Sequence, residues 1–151
     1  MDAAKIIACT RTSDDSPDKW VGLNKVPDDV LPIYAIPTTS GTGSEATMGA
    51  VIKDPEEKLK HIIVGENLLP QAVALDPDLL LGLPAPVTAA TGIDALTHGI
   101  EAYICIWDRG TRKENGRLAI QGVFRWLERA VQHPEDAVSY THLRAHETET
   151  N

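Results

Sequence analysis

The chain has 151 residues, enough for one domain with a real core or for parts of two. Hydrophobic residues make up 42% and charged residues 24%, ordinary values for a globular protein, and a net charge of −8 without a basic patch argues against nucleic acid or an anionic membrane as partner. No apolar run has the length of a membrane span, the N-terminus lacks a signal peptide's charged-then-apolar order, and Cys9 and Cys105 lie far apart in apolar surroundings; the expectation is a cytoplasmic protein with reduced, core-filling cysteines.

Taken in order, MDAAKIIACT predicts a helix with a small apolar face of Ala3, Ala4, Ile6, Ile7 and Ala8. A polar, proline-containing loop runs from Thr10 to about Val30. LPIYAIP, residues 31–37, predicts a short buried strand between Pro32 and Pro37. TTSGTGSEAT, residues 38–47, is dense in glycine and small hydroxyl residues. Such a loop lets backbone approach a ligand closely while hydroxyl and amide groups face acceptor oxygens, although a plain Ser/Gly turn fits equally well. It matches neither a Walker loop nor GxGxxG.

MGAVIKD and HIIVG, on either side of an Asp54-Pro55 pivot, predict a β-hairpin. AVALD, residues 72–76, predicts another short buried strand. Asp76-Pro77 then starts a short helical turn, with Asp76 as N-cap and Pro77 at the first helical position.

From Pro86 the character changes from α/β to all-helical, which puts a domain boundary near Leu83 to Pro86. Residues 86–107 predict one long helix, or two joined at Thr91-Gly92, with an apolar face of Ala89, Ile93, Leu96, Ile100, Tyr103 and Ile104. Residues 117–132 predict an amphipathic helix burying Leu118, Val123, Phe124, Leu127 and Val131, and Pro134 ends it. VSYTHLRAHETETN, residues 138–151, has no evident apolar face. Residues 139–151 are expected to be a disordered or non-native tail, and the His142/His146 pair is not expected to ligate metal.

Within the first of these helices, Asp94 and His98 sit four residues apart, about 40° around the axis, so both point to one side. A carboxylate oxygen and an imidazole nitrogen on one helical face make half of a divalent-metal site. Most such pairs elsewhere are solvated or capping residues, and only the preceding hydroxyl-rich loop and proline-marked boundary raise the metal reading above that.

The MDAAK helix start, IPTTSGTGSEAT, the DPxL…LP turn and AATGIDALTHGIEAY, in this order and spacing through about residue 138, resemble the iron-containing (group III) alcohol dehydrogenase family. The resemblance implies a fold that is α/β followed by all-α: a partial dinucleotide-binding domain over residues 1–85, then the first helices of a metal-binding domain over 86–138. It implies Asp94 and His98 as two of the metal ligands, for Fe²⁺ or else Zn²⁺. It implies Thr38, Thr39, Ser40 and Thr42 as the loop lining the cofactor cleft, and Thr47 and Lys60, on the two hairpin strands, as further contacts of NAD or NADP. Leu79 is implied as a cofactor neighbour, and Asp2 falls where the family's glycine-rich pyrophosphate motif ends.

The chemistry so implied is hydride transfer between a small alcohol, or aldehyde or ketone, and a nicotinamide, with the metal favouring alkoxide as a Lewis acid. The family's later metal-binding histidines have no match here, so the expectation is a fragment inactive by itself and, at full length, a possible homo-oligomer. The alternatives are a glycerol dehydrogenase-like or maleylacetate reductase-like relative on the same scaffold, or a non-catalytic helical module.

Overall fold

A computed structural model describes residues 1–56, 58–107 and 111–145, the side chains of 144 and 145 excepted. Its elements are α1 (Asp2–Thr10), β1 (Gly22–Leu23), β2 (Tyr34–Ala35), β3 (Gly49–Lys53), β4 (Lys60–Val64), β5 (Ala72–Val73), α2 (Ala85–Ile104), α3 (Arg112–Gln132) and α4 (Ala137–Ala145). A few short strands followed by helices is the expected α/β-then-all-α order. The chain divides into two compact units, residues 1–36 with 44–74 and residues 37–43 with 75–151. The division therefore lies about ten residues before the proline-marked boundary, and part of the hydroxyl-rich loop goes with the helices.

The first unit is organised by the hairpin. β3 and β4 pair antiparallel from Gly49↔Val64 to Lys53↔Lys60, and β1 adds to β4 in parallel. The turn closes where Asp54 N–H donates to the Leu59 carbonyl at 2.9 Å. Ala50 and Ile63 face inward without solvent exposure and meet Ile6 and Cys9 of α1, Trp20 and Leu68. Alternation in β3 and β4 thus puts one side of the ribbon into the core and leaves the other open. The two predicted flanking strands shrink to a parallel pair of two residues each, Tyr34↔Ala72 and Ala35↔Val73. Ile33, Ala35 and Pro37 of the first are buried, and Val73 and Leu75 of the second are exposed. The apolar face predicted for α1 is also redrawn: Lys5, Ile6, Ala8 and Cys9 are buried, while Ile7 stands 60% exposed.

In the second unit, α2 is one unbroken helix and α3 begins five residues before its predicted start. Their buried residues are mostly small, Thr88, Gly92, Ala95, Gly99 and Ala102 on α2 and Gly116, Ala119, Gly122, Val123 and Ala130 on α3. A Cβ added to Gly116 would lie 2.7 Å from the Gly99 carbonyl oxygen, so the backbones touch where the two glycines cross. This close approach selects a different face from the one predicted by bulk hydrophobicity. Ile93, Ile100, Tyr103, Ile104 and Phe124 are exposed, Phe124 by 75%.

The chain after Pro134 departs most from expectation. Residues 137–145 form α4, with Tyr140 and Leu143 buried against Leu80, Ala95, Val123 and Ala130. Asp136 caps it, accepting from Val138 N–H at 3.1 Å and from Ser139 Oγ at 2.7 Å. Tyr140 and Leu143, three residues apart, supply the apolar face that the polar sequence around them hides. The ring of His142 stacks on Trp126 at 4.6 Å, and His146 lies outside the described residues.

Candidate functional site

α2 presents Asp94 and His98 on the flank next to its buried seam, one position before Ala95 and Gly99 respectively. Asp94 Oδ1 lies 4.0 Å from His98 Nε2, with half of the Asp94 side chain and 37% of the His98 side chain open to solvent. Metal–donor bonds of about 2.0–2.2 Å leave two donors on one ion about 3–4 Å apart, so a small rotation brings this pair into range. Donor type and access fit a divalent ion. Among the described residues no third His, Cys, Asp or Glu joins the pair in a group that could hold a metal ion.

The hydroxyl-rich loop is anchored directly to that helix. Gly41, at φ +136°, is buried, and a Cβ there would fall 1.6 Å from the carbonyl oxygen of Thr91, three residues before Asp94. Only glycine permits that approach and that dihedral. Pro37 and Ser40 are buried beside it, Thr39 is half-buried, and Thr38 and Thr42 are exposed. Leu79 is 46% exposed in the 3₁₀ turn Pro77–Leu80, whose buried member is Leu80. That turn starts as predicted, with Asp76 accepting from Asp78 N–H at 3.0 Å and Pro77 at its first position.

In the first unit the end of the same loop is stapled to the start of α1. Asp2 accepts from Ser44 Oγ at 2.6 Å and from Val51 N–H at 2.9 Å, which engages both carboxylate oxygens. One turn on, the buried Lys5 ammonium donates to the carbonyls of Ser44, Thr47 and Gly49 at 2.6–2.9 Å and to Thr47 Oγ1 at 3.2 Å. Burial pushes Lys5 below the usual lysine range, and the carboxylates of Asp2 and Glu45 pull it back up. Glu45 is itself buried, and its Oε2 has no hydrogen-bond partner among the described residues.

Thr47 thus precedes β3 instead of lying on a hairpin strand, and its hydroxyl is held by Lys5. Lys60 opens β4 and is exposed on the outer side of the ribbon. At the other end of the ribbon, opposite Val64, Gly49 leaves open space, since a Cβ there would meet nothing within 4 Å. An exposed cation such as Lys60 fits a phosphate-bearing ligand.

Sequence reasoning did not find Lys5 or Gly41. A lone lysine three residues after an acid in an otherwise apolar helix start was the available signal for Lys5. Gly41 was hidden among the four glycine and serine positions of its loop, because its constraint comes from Thr91, fifty residues away.

The description "iron-containing alcohol dehydrogenase" belongs to the family profile that matches residues 1–77. Among curated relatives, NAD-dependent methanol dehydrogenase of Bacillus methanolicus is 38% identical over 138 residues, covering 89% of this chain and 35% of its own length. The 1,3-propanediol dehydrogenase of Klebsiella pneumoniae is 42% identical over 130 residues, 86% of this chain and 34% of that protein. The chain thus spans about a third of the length of these relatives. A crystal structure of 1,3-propanediol oxidoreductase superposes with a TM-score of 0.92 at 33% identity, over 99% of this chain and 39% of that one. Sulfoacetaldehyde reductase from Bifidobacterium kashiwanohense in complex with NAD⁺ gives a TM-score of 0.92 at 31% identity, over 99% and 40%. With the profile over half its length and these folds over nearly all of it, the chain belongs to the iron-containing alcohol dehydrogenase family.

Proposed function

We propose that this chain is the dinucleotide-side and metal-helix segment of an oxidoreductase that moves a hydride between a small alcohol or aldehyde and a nicotinamide cofactor. The single observation that carries the reading is the Gly41–Thr91 contact, which anchors the hydroxyl-rich loop on the helix that presents Asp94 and His98. Asp94 and His98 would hold a divalent ion, Fe²⁺ in keeping with the family and Zn²⁺ by equally suitable donors. The ion supplies Lewis acidity toward a substrate oxygen.

The chain's own residues do the positioning. Lys60 meets the dinucleotide, and Thr38, Thr39, Ser40 and Thr42 line its path. Asp2 and Lys5 hold the loop that leads to Thr47 in one conformation, so little ordering entropy is lost when a ligand arrives. The NAD-dependent name of one relative and the NAD⁺ complex of another support NAD over NADP. Retention of both Asp94 and His98 supports a metal-using branch over a metal-independent reductase.

With only two donors, the 151-residue chain alone is expected to give no NADH from NAD and a panel of short alcohols and diols. Substituted for the matching third of the Klebsiella pneumoniae relative, it is expected to form NADH, and Asp94→Ala in that chimera to abolish the activity. A chimera that oxidises alcohols equally well with Asp94→Ala contradicts the metal reading, and turnover by the isolated chain contradicts the half-site.

A further inference from the structure

Hydrogen bonding does not explain Glu45. The residue lies in the 3₁₀ turn Ser44–Ala46 and is only 3% exposed. Its Oε2 is sealed from solvent and has no hydrogen-bond partner among the described residues. A carboxylate in such a place is costly unless an opposite charge compensates it. Glutamine or methionine would fill the same space at less cost, so what glutamate adds is charge.

The charge it meets is Lys5. Lys5 Nζ donates to the Ser44 carbonyl at 2.8 Å and to the Thr47 carbonyl at 2.6 Å, which brackets Glu45 on both sides. Its other acceptors are the Gly49 carbonyl and Thr47 Oγ1, so every hydrogen bond of this fully buried ammonium goes to an uncharged group. Those bonds satisfy its protons and leave its charge uncompensated. Asp2, one turn earlier on α1, has both oxygens engaged by Ser44 Oγ and Val51 N–H, which are also neutral. The two carboxylates therefore act on Lys5 through space. Burial pushes Lys5 below the usual lysine range, and Asp2, then Glu45, oppose it.

We propose that Glu45 is a positioning residue, whose unbonded carboxylate is the counter-charge that keeps Lys5 an ammonium ion and residues 44–49 fastened to α1. The fastening depends on charge because the carbonyls of Ser44, Thr47 and Gly49 need three N–H donors. An ammonium has three, and a neutral amine has two. That the fastened segment continues the loop along the cofactor's path rests on the function proposed above; the counter-charge itself does not.

Thermal unfolding of the chain and of Glu45→Gln over a pH series, with ¹³C-labelled lysine followed by NMR, tests this. Glu45→Gln keeps the shape and removes the charge. It is expected to move the Lys5 titration to lower pH and to lower Tm by about 4 °C at neutral pH. The Tm deficit is expected to shrink as pH rises through that titration, because the attraction vanishes once the amine is neutral. In a Lys5→Met background, Glu45→Gln is expected to raise Tm, since it removes a buried charge that has lost its partner. A deficit equal at every pH, or a Lys5 titration unmoved by Glu45→Gln, overturns the proposal and marks Glu45 as a packing residue. If Lys5→Met does not fold, the pH series on Glu45→Gln alone decides. Calorimetry with NAD separates the two readings. Weaker binding in Glu45→Gln supports both. Binding that is absent in the wild type, or unchanged in Glu45→Gln despite the expected pH profile, contradicts only the cofactor reading of the loop.

Discussion

Gly41 lies against Thr91 so closely that a single added methyl carbon would sit 1.6 Å from the Thr91 carbonyl oxygen. The loop carrying Thr38 to Thr42 and the helix carrying Asp94 are therefore one packed unit, joined through backbone. Gly41→Ala must displace a helical carbonyl and also hold alanine at φ +136°. We expect a loss of about 3 kcal/mol or more, read as a lower denaturant midpoint at unchanged slope. Thr42→Ala, at an exposed neighbouring position, is expected to change stability by less than about 0.5 kcal/mol.

Lys5 makes a second prediction. Its ammonium serves three carbonyls and the Thr47 hydroxyl, so Lys5→Met leaves a buried acceptor cluster without its donor and is expected to cost about 3 kcal/mol in urea unfolding. Burial lowers the Lys5 pKa in the folded state. Between that lowered value and the ordinary lysine value, the unfolded chain binds the proton more readily, so stability rises with pH in that window and is flat below it. The difference in unfolding free energy between the wild type and Lys5→Met is expected to grow as pH approaches the lysine range from below. A difference that shrinks there contradicts the burial argument.

The third prediction concerns α4. Ser139 Oγ first, and then Arg129 at 2.6 Å, hold the Asp136 carboxyl below the usual aspartate range. For a lowered carboxylate the stabilisation is present above the unfolded value and disappears as pH falls through the folded one. Protection factors for amide hydrogen exchange at Ser139–Leu143, taken relative to the unstructured rate at each pH, are expected to fall on acidification through that range in the wild type, and to be low and nearly constant in Asp136→Ala. Tyr140→Phe, which removes the hydroxyl 3.2 Å from buried Thr88 Oγ1, is expected to cost about 1 kcal/mol.

These cases also show which features sequence could reveal. The hairpin was legible because alternation and the Asp54-Pro55 pivot act locally, and the turn after Asp76 because its cap lies two residues from its partner. The helices α2 and α3 of the second unit were legible as helices, but their buried faces were not. Hydrophobic bulk pointed to Ile93, Ile100 and Phe124, whereas the close crossing at Gly99 and Gly116 draws in the small residues. Tyr140 docks through Thr88, 52 residues away, and no local pattern records that partner. Asp94 and His98 were legible as a pair because helical spacing alone brings them together.

The most direct test of the account is metal binding by that pair. Titration of the chain with Co²⁺, followed by its visible absorption, is expected to show one weak site that Zn²⁺ displaces. Asp94→Ala and His98→Ala are each expected to abolish it, and His61→Ala, His133→Ala and His142→Ala to leave it in place. Unchanged Co²⁺ spectra and affinity in both Asp94→Ala and His98→Ala would contradict the assignment of α2 as the metal helix.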